Sequence, residues 1–172
     1  MSQQKTGLMY VPASAAYKAG DGYLCIPAEY SPWISTTDYY DTPERVTEAH
    51  ALLERSGLLA KLVPIAPRPA TPEELTGFHS AAYIEKLQRL SAGEGGLVGE
   101  YCRIGHGGLD VIAQAVGGDL VALDEVMARH VRNAFCLQRP PGAHAERESG
   151  FGFCVVNDFN ILIQRAREKY GL

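Results

Sequence analysis

A mostly apolar run that stops at two prolines and a glycine constrains the fold of this chain more than any other feature. Residues 132–138 (RNAFCLQ) are long enough for one buried β-strand. The two prolines that follow Arg139 remove two backbone donors, and Gly142 permits a turn that a β-carbon would resist. The strand must therefore stop at Arg139, which puts His144 just beyond a strand end.

Two interpretations of His144 follow from this position. In open α/β sheets, ligands bind outside the carboxyl ends of the strands, so His144 is a candidate functional residue. The alternative is a surface histidine in a proline-glycine turn, and a single histidine carries too little information to exclude it. The residues around His144 are needed to choose between the two.

The order of apolar patterns predicts the fold class. Strand candidates lie at 7–11, 62–65 and 132–138. Helices are predicted from 42 to about 57, from 71, over 80–90, over 107–129 as two patterns that meet at Gly117-Gly118, and over 157–169. Strands that alternate with helices predict an α/β fold with a central, mainly parallel sheet.

Local signals support the first helix starts. Thr42 is predicted to cap the first helix, with Pro43 in its first turn, and Thr71 has capping-box spacing with Glu74. The inner face of the first helix is predicted to carry Val46, Ala49, Leu52 and Leu53. The inner face of the helix over 80–90 is predicted to carry Tyr83, Ile84, Leu87 and Leu90.

Composition narrows the class of protein and its setting. A length of 172 residues suits one domain, and 46% apolar with 21% charged residues is typical of a globular protein. A formal net charge of -4 argues against a nucleic-acid partner. No apolar run approaches the roughly 18 residues that a membrane span needs, and residues 1–6 are polar. We therefore expect a cytoplasmic protein with no membrane partner.

The four cysteines agree with that setting. Cys25, Cys102, Cys136 and Cys154 are scattered, with no C-x-x-C pair, which favours a reducing compartment over a disulfide framework or a cysteine zinc site. Cys136 and Cys154 lie in apolar runs and are predicted core residues.

A long irregular segment at 12–41 is rich in aromatic side chains. It contains Tyr17, Tyr23, Tyr30, Trp33, Tyr39 and Tyr40. Irregular segments of this length often shape a binding site or an interface. A surface loop pinned by aromatic packing explains the composition equally well, so both interpretations stay open.

Two linked motifs carry a family resemblance. Residues 139–145 read RPPGAHA, and residues 150–158 read GFGFCVVND. Together they resemble the active-site loop of the histone deacetylase-like amidohydrolases, in which R-P-P-G-H-H-A precedes G-F-C and an Asn-Asn or Asn-Asp pair. The segment 78–84 (FHSAAYI) is similar to a second family motif. Within the family, the bacterial class II-type deacetylases and acetylpolyamine aminohydrolases are the members that the chain resembles.

The resemblance implies a fold and a reaction. The fold would be the arginase/deacetylase-like three-layer α/β fold, with helices on both sides of the sheet. The reaction would be zinc-dependent hydrolysis that removes acetyl or similar acyl groups from amines. The partner would be an acetylated small-molecule amine, such as an acetylpolyamine, or a protein that carries acetyl-lysine. A catalytic Zn²⁺ is implied, and a structural K⁺ is a second candidate ion.

Site roles carry over residue by residue. His144 would be the general base toward zinc-bound water and the general acid toward the leaving amine. Gly152 would offer its carbonyl to the substrate amide, and Phe153 would form one wall of the acyl channel. Ala143 stands where the family has the first of two tandem histidines. Loss of one such group typically costs on the order of 10²–10⁴ in rate, so the resemblance implies an impaired enzyme.

The zinc ligands are not identifiable in the sequence. The family's D-x-D-x-H motif is not found, and His50, His79, His106 and His130 have no partner at ligand spacing. We predict that these four are helix-face or loop residues. Residues 1–172 are predicted to be the N-terminal portion of a single deacetylase-like domain, with an active-site loop at about 139–153 and metal ligands C-terminal to Leu172.

Three functions remain open. The first is the impaired deacylase, and the second is a non-enzymatic module that recognises acylated ligands on the same scaffold. In the third, the motif match is purely structural and holds a turn between strand and helix. Ala143 can be an introduced change, the simplest explanation, or a natural degeneration. A homo-oligomer is compatible with the aromatic segment at 12–41.

Overall fold

The computed structural model describes residues 5–20, 22–23, 26–30, 33, 35 and 40–172. Its strands are β1 (Thr6–Tyr10), β2 (Gly22–Tyr23), β3 (Ile26–Pro27), β4 (Val63–Ile65), β5 (Gly96–Glu100), β6 (Cys102–Ile104), β7 (Asn133–Leu137) and β8 (Gly150–Phe151). Its helices are α1 (Glu44–Arg55), α2 (Pro72–Leu75), α3 (Ala81–Ala92), α4 (Gly108–Met127) and α5 (Asp158–Tyr170). Short 3-10 turns lie at Pro12–Ala16, Ala28–Tyr30 and Leu59–Lys61.

The central sheet is parallel, as the alternating pattern predicts. Its order is β4-β1-β7, and β1 pairs in parallel with both neighbours. Pro64 cannot donate a ladder hydrogen bond, which suits β4 because it pairs with β1 alone among the described strands. The structure thus confirms an α/β fold built on a mainly parallel sheet.

Helices cover both faces of this sheet and give three layers. Alternate side chains of β1 point to opposite faces. Met9 packs on one face with Ala122 of α4. Leu8 packs on the other face with Val46 of α1 and Leu137 of β7. The larger core lies between α3, α4, α5 and the strands β5 and β6, where Leu87, Ile104, Leu120 and Val155 are fully or almost fully buried.

The prediction of a buried strand at 132–138 is right about the strand, which spans Asn133–Leu137, and wrong about its burial. Leu137 is buried under α1, but Phe135, two residues earlier on the same face, is 50% exposed. The cover that α1 gives this face reaches Leu137 and not Phe135. Cys136, on the opposite face, is partly buried, whereas Cys154 is fully buried as predicted.

The two helical patterns predicted over 107–129 form one continuous helix, α4. Glycine inside a helical pattern weakens the helix but also allows close packing. A Cβ on Gly117 would lie 2.0 Å from the carbonyl oxygen of Arg68, and one on Gly118 would lie 2.6 Å from the sulfur of Met9. The two glycines therefore seat α4 against β1 and the 67–70 segment, and they do not end a helix.

The helix boundaries correct two local predictions and confirm others. Pro43, not Thr42, is the first flanking residue of α1, and no side chain caps that helix. Leu52 is 63% exposed because the inner face of α1 is narrower than the apolar pattern. The Thr71–Glu74 capping box is formed, and on α3 Tyr83, Ile84 and Leu87 are buried with Leu90 partly buried.

A second small sheet was not predicted. The β5–β6 hairpin is antiparallel, and β8 pairs in parallel with β5. Its strands are short and rich in glycine, so they give no apolar alternation to detect. A Cβ on Gly99 would lie 1.7 Å from the carbonyl oxygen of Gly150, so glycine is needed where these strands approach. This sheet holds the C-terminal part of the 139–153 loop.

The aromatic segment at 12–41 is partly buried and partly exposed. Tyr17 is buried, whereas Trp33 is 82% exposed and Tyr40 is also exposed. Tyr39 and the side chain of Tyr23 lie outside the described residues. Among the described residues, no helix is both long enough and apolar enough to cross a bilayer.

Candidate active-site loop

The 139–153 loop begins after β7 and carries His144 at an exposed position. β7 ends at Leu137, so His144 lies beyond the carboxyl end of a parallel strand, as the sequence predicts. Ala143 is exposed beside it. The imidazole of His144 makes no hydrogen bond with any described residue. It is therefore free to meet a ligand or a substrate from this side of the sheet.

Arg139 fixes the N-terminal end of the loop. Its side chain is buried and donates to Asp41 Oδ1 (3.3 Å), to the carbonyl oxygens of Ser14 (2.6 Å) and Tyr17 (2.9 Å), and to the carbonyl oxygen of Asp41. The Ser14 hydroxyl also bonds with both the N–H and the carbonyl of Arg139. Burial raises the pKa of Asp41, although the adjacent guanidinium acts to lower it. Sequence reasoning missed this contribution of Asp41.

Asn157 holds the centre of the loop. Its side-chain Nδ2 donates to the carbonyl oxygens of Ala143 (3.2 Å) and Ala145 (2.7 Å), on either side of His144. Its Oδ1 accepts from the N–H of Asn160 (3.0 Å) and caps α5. The side chain is buried, so these bonds replace those it would make with water.

His79 supports Asn157 from behind. Its Nε2 accepts from the backbone N–H of Asn157 (2.8 Å), and its Nδ1 lies 3.2 Å from the carbonyl oxygen of Arg147. These two partners assign the proton to Nδ1. His79 is fully buried, and burial lowers its pKa. It is a loop residue, as predicted, but part of a buried frame; its place in the 78–84 motif was the only sequence signal for that.

A buried carboxyl pair lies beneath the loop. Gln138 Nε2 donates to Asp119 Oδ2 of α4 (2.7 Å) and to Asp158 Oδ2 of α5 (3.2 Å). Burial raises the pKa of Asp119 to about 6. Burial, followed by the charge of Asp119, raises the pKa of Asp158 to about 7. A Cβ on Gly142 would lie 2.2 Å from the Asp158 carboxyl carbon, so the loop packs directly on this pair. None of these groups was predicted as part of a site.

The turn at 151–153 returns beside His144. Gly152 and Phe153 both have positive φ, and their N–H groups donate to the carbonyl oxygens of Glu100 (3.0 Å) and Tyr101 (3.1 Å). A Cβ on Gly152 would lie 3.9 Å from His144 Cδ2, so these two residues are neighbours. Phe153 is half-buried and packs on the main core. The roles predicted for Gly152 and Phe153 stay predictions.

Phe151 is an aromatic neighbour of His144 that the sequence reasoning missed. Its side chain is 41% exposed, and its ring centroid lies 6.2 Å from that of His144, edge to face. Its place as the first phenylalanine of the GFGFC run, before Phe153, gave the only available signal. Phe151 thus presents an exposed apolar ring beside the exposed imidazole.

The described residues do not supply a metal site. They contain no group of three or more histidine, cysteine, aspartate or glutamate side chains that could hold a metal ion. Burial raises the pKa of the Cys102, Cys136 and Cys154 thiols, which disfavours the thiolate form that binds metal. The Cys154 sulfur instead accepts from the N–H of Ala143 (3.3 Å).

Comparisons with known proteins identify relatives of this chain. The family model described as "Histone deacetylase domain" matches residues 39–172. A histone deacetylase-like amidohydrolase of Pseudomonas aeruginosa is 30% identical over 172 residues, which cover 98% of this chain and 45% of that protein. The polyamine deacetylase HDAC10 of Danio rerio is 32% identical over 149 residues, which cover 81% of this chain and 22% of that protein.

A solved structure supports the same fold. The HDA15 HD domain superposes with a TM-score of 0.83 at 18% identity, covering 98% of this chain and 45% of that chain. The chain thus spans less than half the length of these relatives.

Proposed function

Because this chain belongs to the histone deacetylase domain family, we propose that it is part of a zinc-dependent amidohydrolase that removes acetyl or similar acyl groups from amines, and that Ala143 impairs the reaction. In this proposal residues 1–172 are the N-terminal portion of a single deacetylase-like domain. One observation carries it: the loop that matches the family motif presents an exposed His144 at the carboxyl end of a parallel strand, held in place by buried groups.

His144 is the proton-transfer residue of this proposal. An imidazole can take a proton from a nucleophilic water and later give it to the leaving amine. The ring of His144 is exposed and is not engaged by another described side chain through a hydrogen bond, so both nitrogens are available for such a transfer. Gly152 and Phe151 lie beside it, and Gly152 would accept from the substrate amide through its carbonyl oxygen. Phe153 would support the channel wall from its half-buried position.

The zinc ion enters the proposal through the family and not through the described residues. These residues contain no ligand set, so the proposal puts the ligands outside residues 1–172, in the part of the relatives' length that this chain does not span. When bound, zinc would activate a water molecule and polarise the acyl carbonyl. A structural K⁺ is included in the proposal by the family resemblance alone.

The proposed substrate is an acetylated amine of either of two kinds. The relatives include polyamine deacetylases and proteins named histone deacetylase 8, so acetylpolyamines and acetyl-lysine are both candidate substrates. The formal net charge of -4 would help to attract a cationic polyamine or a lysine-rich segment. Both substrates should therefore be tested side by side.

Ala143 is the feature that makes the proposed enzyme slow. Its side chain is exposed next to His144 and can neither donate nor accept a hydrogen bond. Its backbone is well held, since the N–H donates to Cys154 and the carbonyl accepts from Asn157. A histidine could therefore be restored there without disturbing the loop, and restoration should raise the rate by about 10²–10⁴.

The test uses the full-length product of the gene, with Ala143 and with the Ala143→His substitution. Zinc content is measured, together with acetate release from an acetyl-lysine peptide and from an acetylpolyamine, with and without chelator. The proposal expects about one zinc per chain and chelator-sensitive turnover that rises steeply on Ala143→His. No zinc in either form, or turnover that metal removal leaves unchanged, would overturn it.

A non-enzymatic binding module is the second candidate, and Ala143 is the observation that favours it. Such a module would hold an acylated ligand without hydrolysing it. It predicts that zinc and an acetyl-lysine peptide bind equally well to both forms and that Ala143→His brings no turnover. The deacylase proposal predicts the reverse result for turnover.

The proposal also includes a cytoplasmic setting and a homo-oligomer. The described cysteines, Cys102, Cys136 and Cys154, are free, in keeping with a reducing compartment. Trp33 is 82% exposed, so it could cover the mouth of the site or contact a second copy of the chain. Trp33→Ala would lower substrate affinity in the first case and the molar mass in solution in the second.

A further inference from the structure

Asn157 contacts the loop at the two carbonyl groups that flank His144. It lies at the start of α5, and its Nδ2 carries two protons. One is donated to the carbonyl oxygen of Ala143 and the other to that of Ala145. We propose that Asn157, backed by His79, is the positioning residue that aims the His144 imidazole. The catalytic importance of this orientation rests on the proposed function, whereas the contacts of Asn157 do not.

The two bonds constrain the backbone of His144 and Ala145. The φ and ψ torsions of His144 and the φ torsion of Ala145 lie between the two carbonyl carbons, and the backbone of His144 sets the direction of its Cβ. A single amide that grips both carbonyls fixes the distance between them. The exposed imidazole itself has no hydrogen bond to a described residue, so within the part of the chain that the structure describes this backbone sets where the ring starts.

His79 keeps the amide in place. The backbone N–H of Asn157 donates to His79 Nε2, and the opposite ring nitrogen faces the carbonyl oxygen of Arg147. The N–H of Ser80 donates to the same Arg147 carbonyl (3.3 Å), and the Ser80 hydroxyl donates to Glu148 Oε2 (2.6 Å). The buried ring therefore links Asn157 to Arg147, so the central and later parts of the loop are both held by His79.

The amide of Asn157 is needed for the loop and not for the helix. A helix cap requires only a side-chain acceptor, which Asp supplies as well as Asn, and the positive end of the helix dipole favours the negative charge. The bonds to Ala143 and Ala145 require two donors, which Asp lacks. Asn157→Asp should therefore keep the cap and release the loop, because its carboxylate would face two carbonyl oxygens.

The experiment compares Asn157→Asp with a control cap variant in the full-length protein. Thr71→Ala removes the capping-box side chain of α2, far from the loop in sequence and without a bond to it. Both substitutions are made with and without Ala143→His. Amide hydrogen exchange is followed over residues 143–149, and kcat and KM are measured for an acetyl-lysine peptide.

Asn157→Asp is expected to speed exchange in this segment at least about tenfold. In the Ala143→His protein it should lower kcat by on the order of 10²-fold with KM nearly unchanged, since a displacement of about 1 Å can cost that much. Thr71→Ala should change neither quantity. Asn157→Ser, which also caps but is too short to bridge both carbonyls, should reproduce the effect without added charge and serves if Asn157→Asp does not fold.

Two results would overturn the inference. One is unchanged exchange over 143–149 in both Asn157 variants. The other is faster exchange with unchanged kcat in a protein that turns over. If Ala143→His gives no turnover at all, the proposed function fails, and the hydrogen exchange alone still decides whether Asn157 holds the loop.

Discussion

The N-terminal end of the 139–153 loop is fixed by charge, whereas its centre is fixed by neutral groups. Arg139 is buried against the Asp41 carboxyl and three main-chain carbonyls of the 12–41 segment. Asn157 and His79 use an amide and a neutral imidazole. Within one loop, different residues therefore stabilise the fold and orient the candidate functional side chain. A buried charge that loses its partner lowers the free energy of unfolding strongly. Replacement of a neutral amide lowers it less.

The largest effect on stability should come from Arg139→Met. This change leaves the Asp41 carboxyl and the buried carbonyls without their donor, and breaking a buried pair typically costs about 3–5 kcal/mol. Urea unfolding of the full-length protein measures it. Arg55→Met, which breaks an exposed ion pair with Glu48, is the control and should stay within about 0.5 kcal/mol. Equal stability of the two variants would contradict the anchoring role of Arg139.

Gly142→Ala should have the next largest effect. Its Cβ would meet the Asp158 carboxyl at 2.2–2.3 Å, and overpacking of this kind costs about 1–3 kcal/mol. The cost should shrink in the double variant Gly142→Ala/Asp158→Ala, because the obstructing carboxyl is removed. If the two single costs simply add, the loop does not rest on Asp158 and this contact has been misassigned.

The carboxyl pair predicts a pH dependence of the free energy of unfolding. The pKa values of Asp119 and Asp158 rise from 3.8 to about 6 and about 7, so the folded state holds protons that the unfolded chain has released. Their contribution to stability is therefore complete below about pH 4 and is lost as the pH rises through 6 and 7. Asp158→Asn should flatten this fall, so the variant should gain stability relative to the parent at pH 8 compared with pH 5, as urea unfolding at the two pH values measures.

The matched comparison of parent and Asp158→Asn removes the contributions that both share. Among these is His79, whose lowered pKa gives a stability that is lost as the pH falls below about 6.5. The prediction would be contradicted if the difference in the free energy of unfolding between the two proteins were the same at pH 5 and pH 8. The carboxyl pair would then titrate as it does in the unfolded chain.

The smallest effect on stability should come from His144→Ala. The side chain is exposed and makes no hydrogen bond to a described residue, so the free energy of unfolding should change by less than about 0.5 kcal/mol. Thermal unfolding measures it. A cost of 2 kcal/mol or more would mean that His144 is a structural residue. That result would contradict the contrast between the N-terminal end of the loop and its centre.

The sequence predicts those features that depend on neighbours along the chain. The end of β7 is two residues earlier than the predicted stop at Arg139, and the Thr71 capping box and the inner face of α3 are as predicted. All three depend on residues that are near one another in the sequence. The continuous α4 was missed because its glycines serve packing against Arg68 and Met9, which only the folded chain brings near.

The framework around the loop could not be predicted, because its partners are far apart in sequence. Asp41 and Arg139 are separated by 98 residues, and His79 and Asn157 by 78. No periodicity links such pairs, and each residue alone resembles an ordinary loop or helix-end residue. The motif match singled out this loop and gave the roles of His144, Gly152 and Phe153 as predictions, but it did not indicate which residues hold the loop.

The most direct test of the account is the turnover that depends on His144. Acetate release is measured for the full-length protein with Ala143→His and for the double variant Ala143→His/His144→Ala, on the same acetylated substrate and with equal zinc content. We expect the double variant to be slower by at least about 10²-fold, because it lacks the group that moves the proton. Equal turnover in the two proteins would contradict the assignment of this loop as the catalytic site.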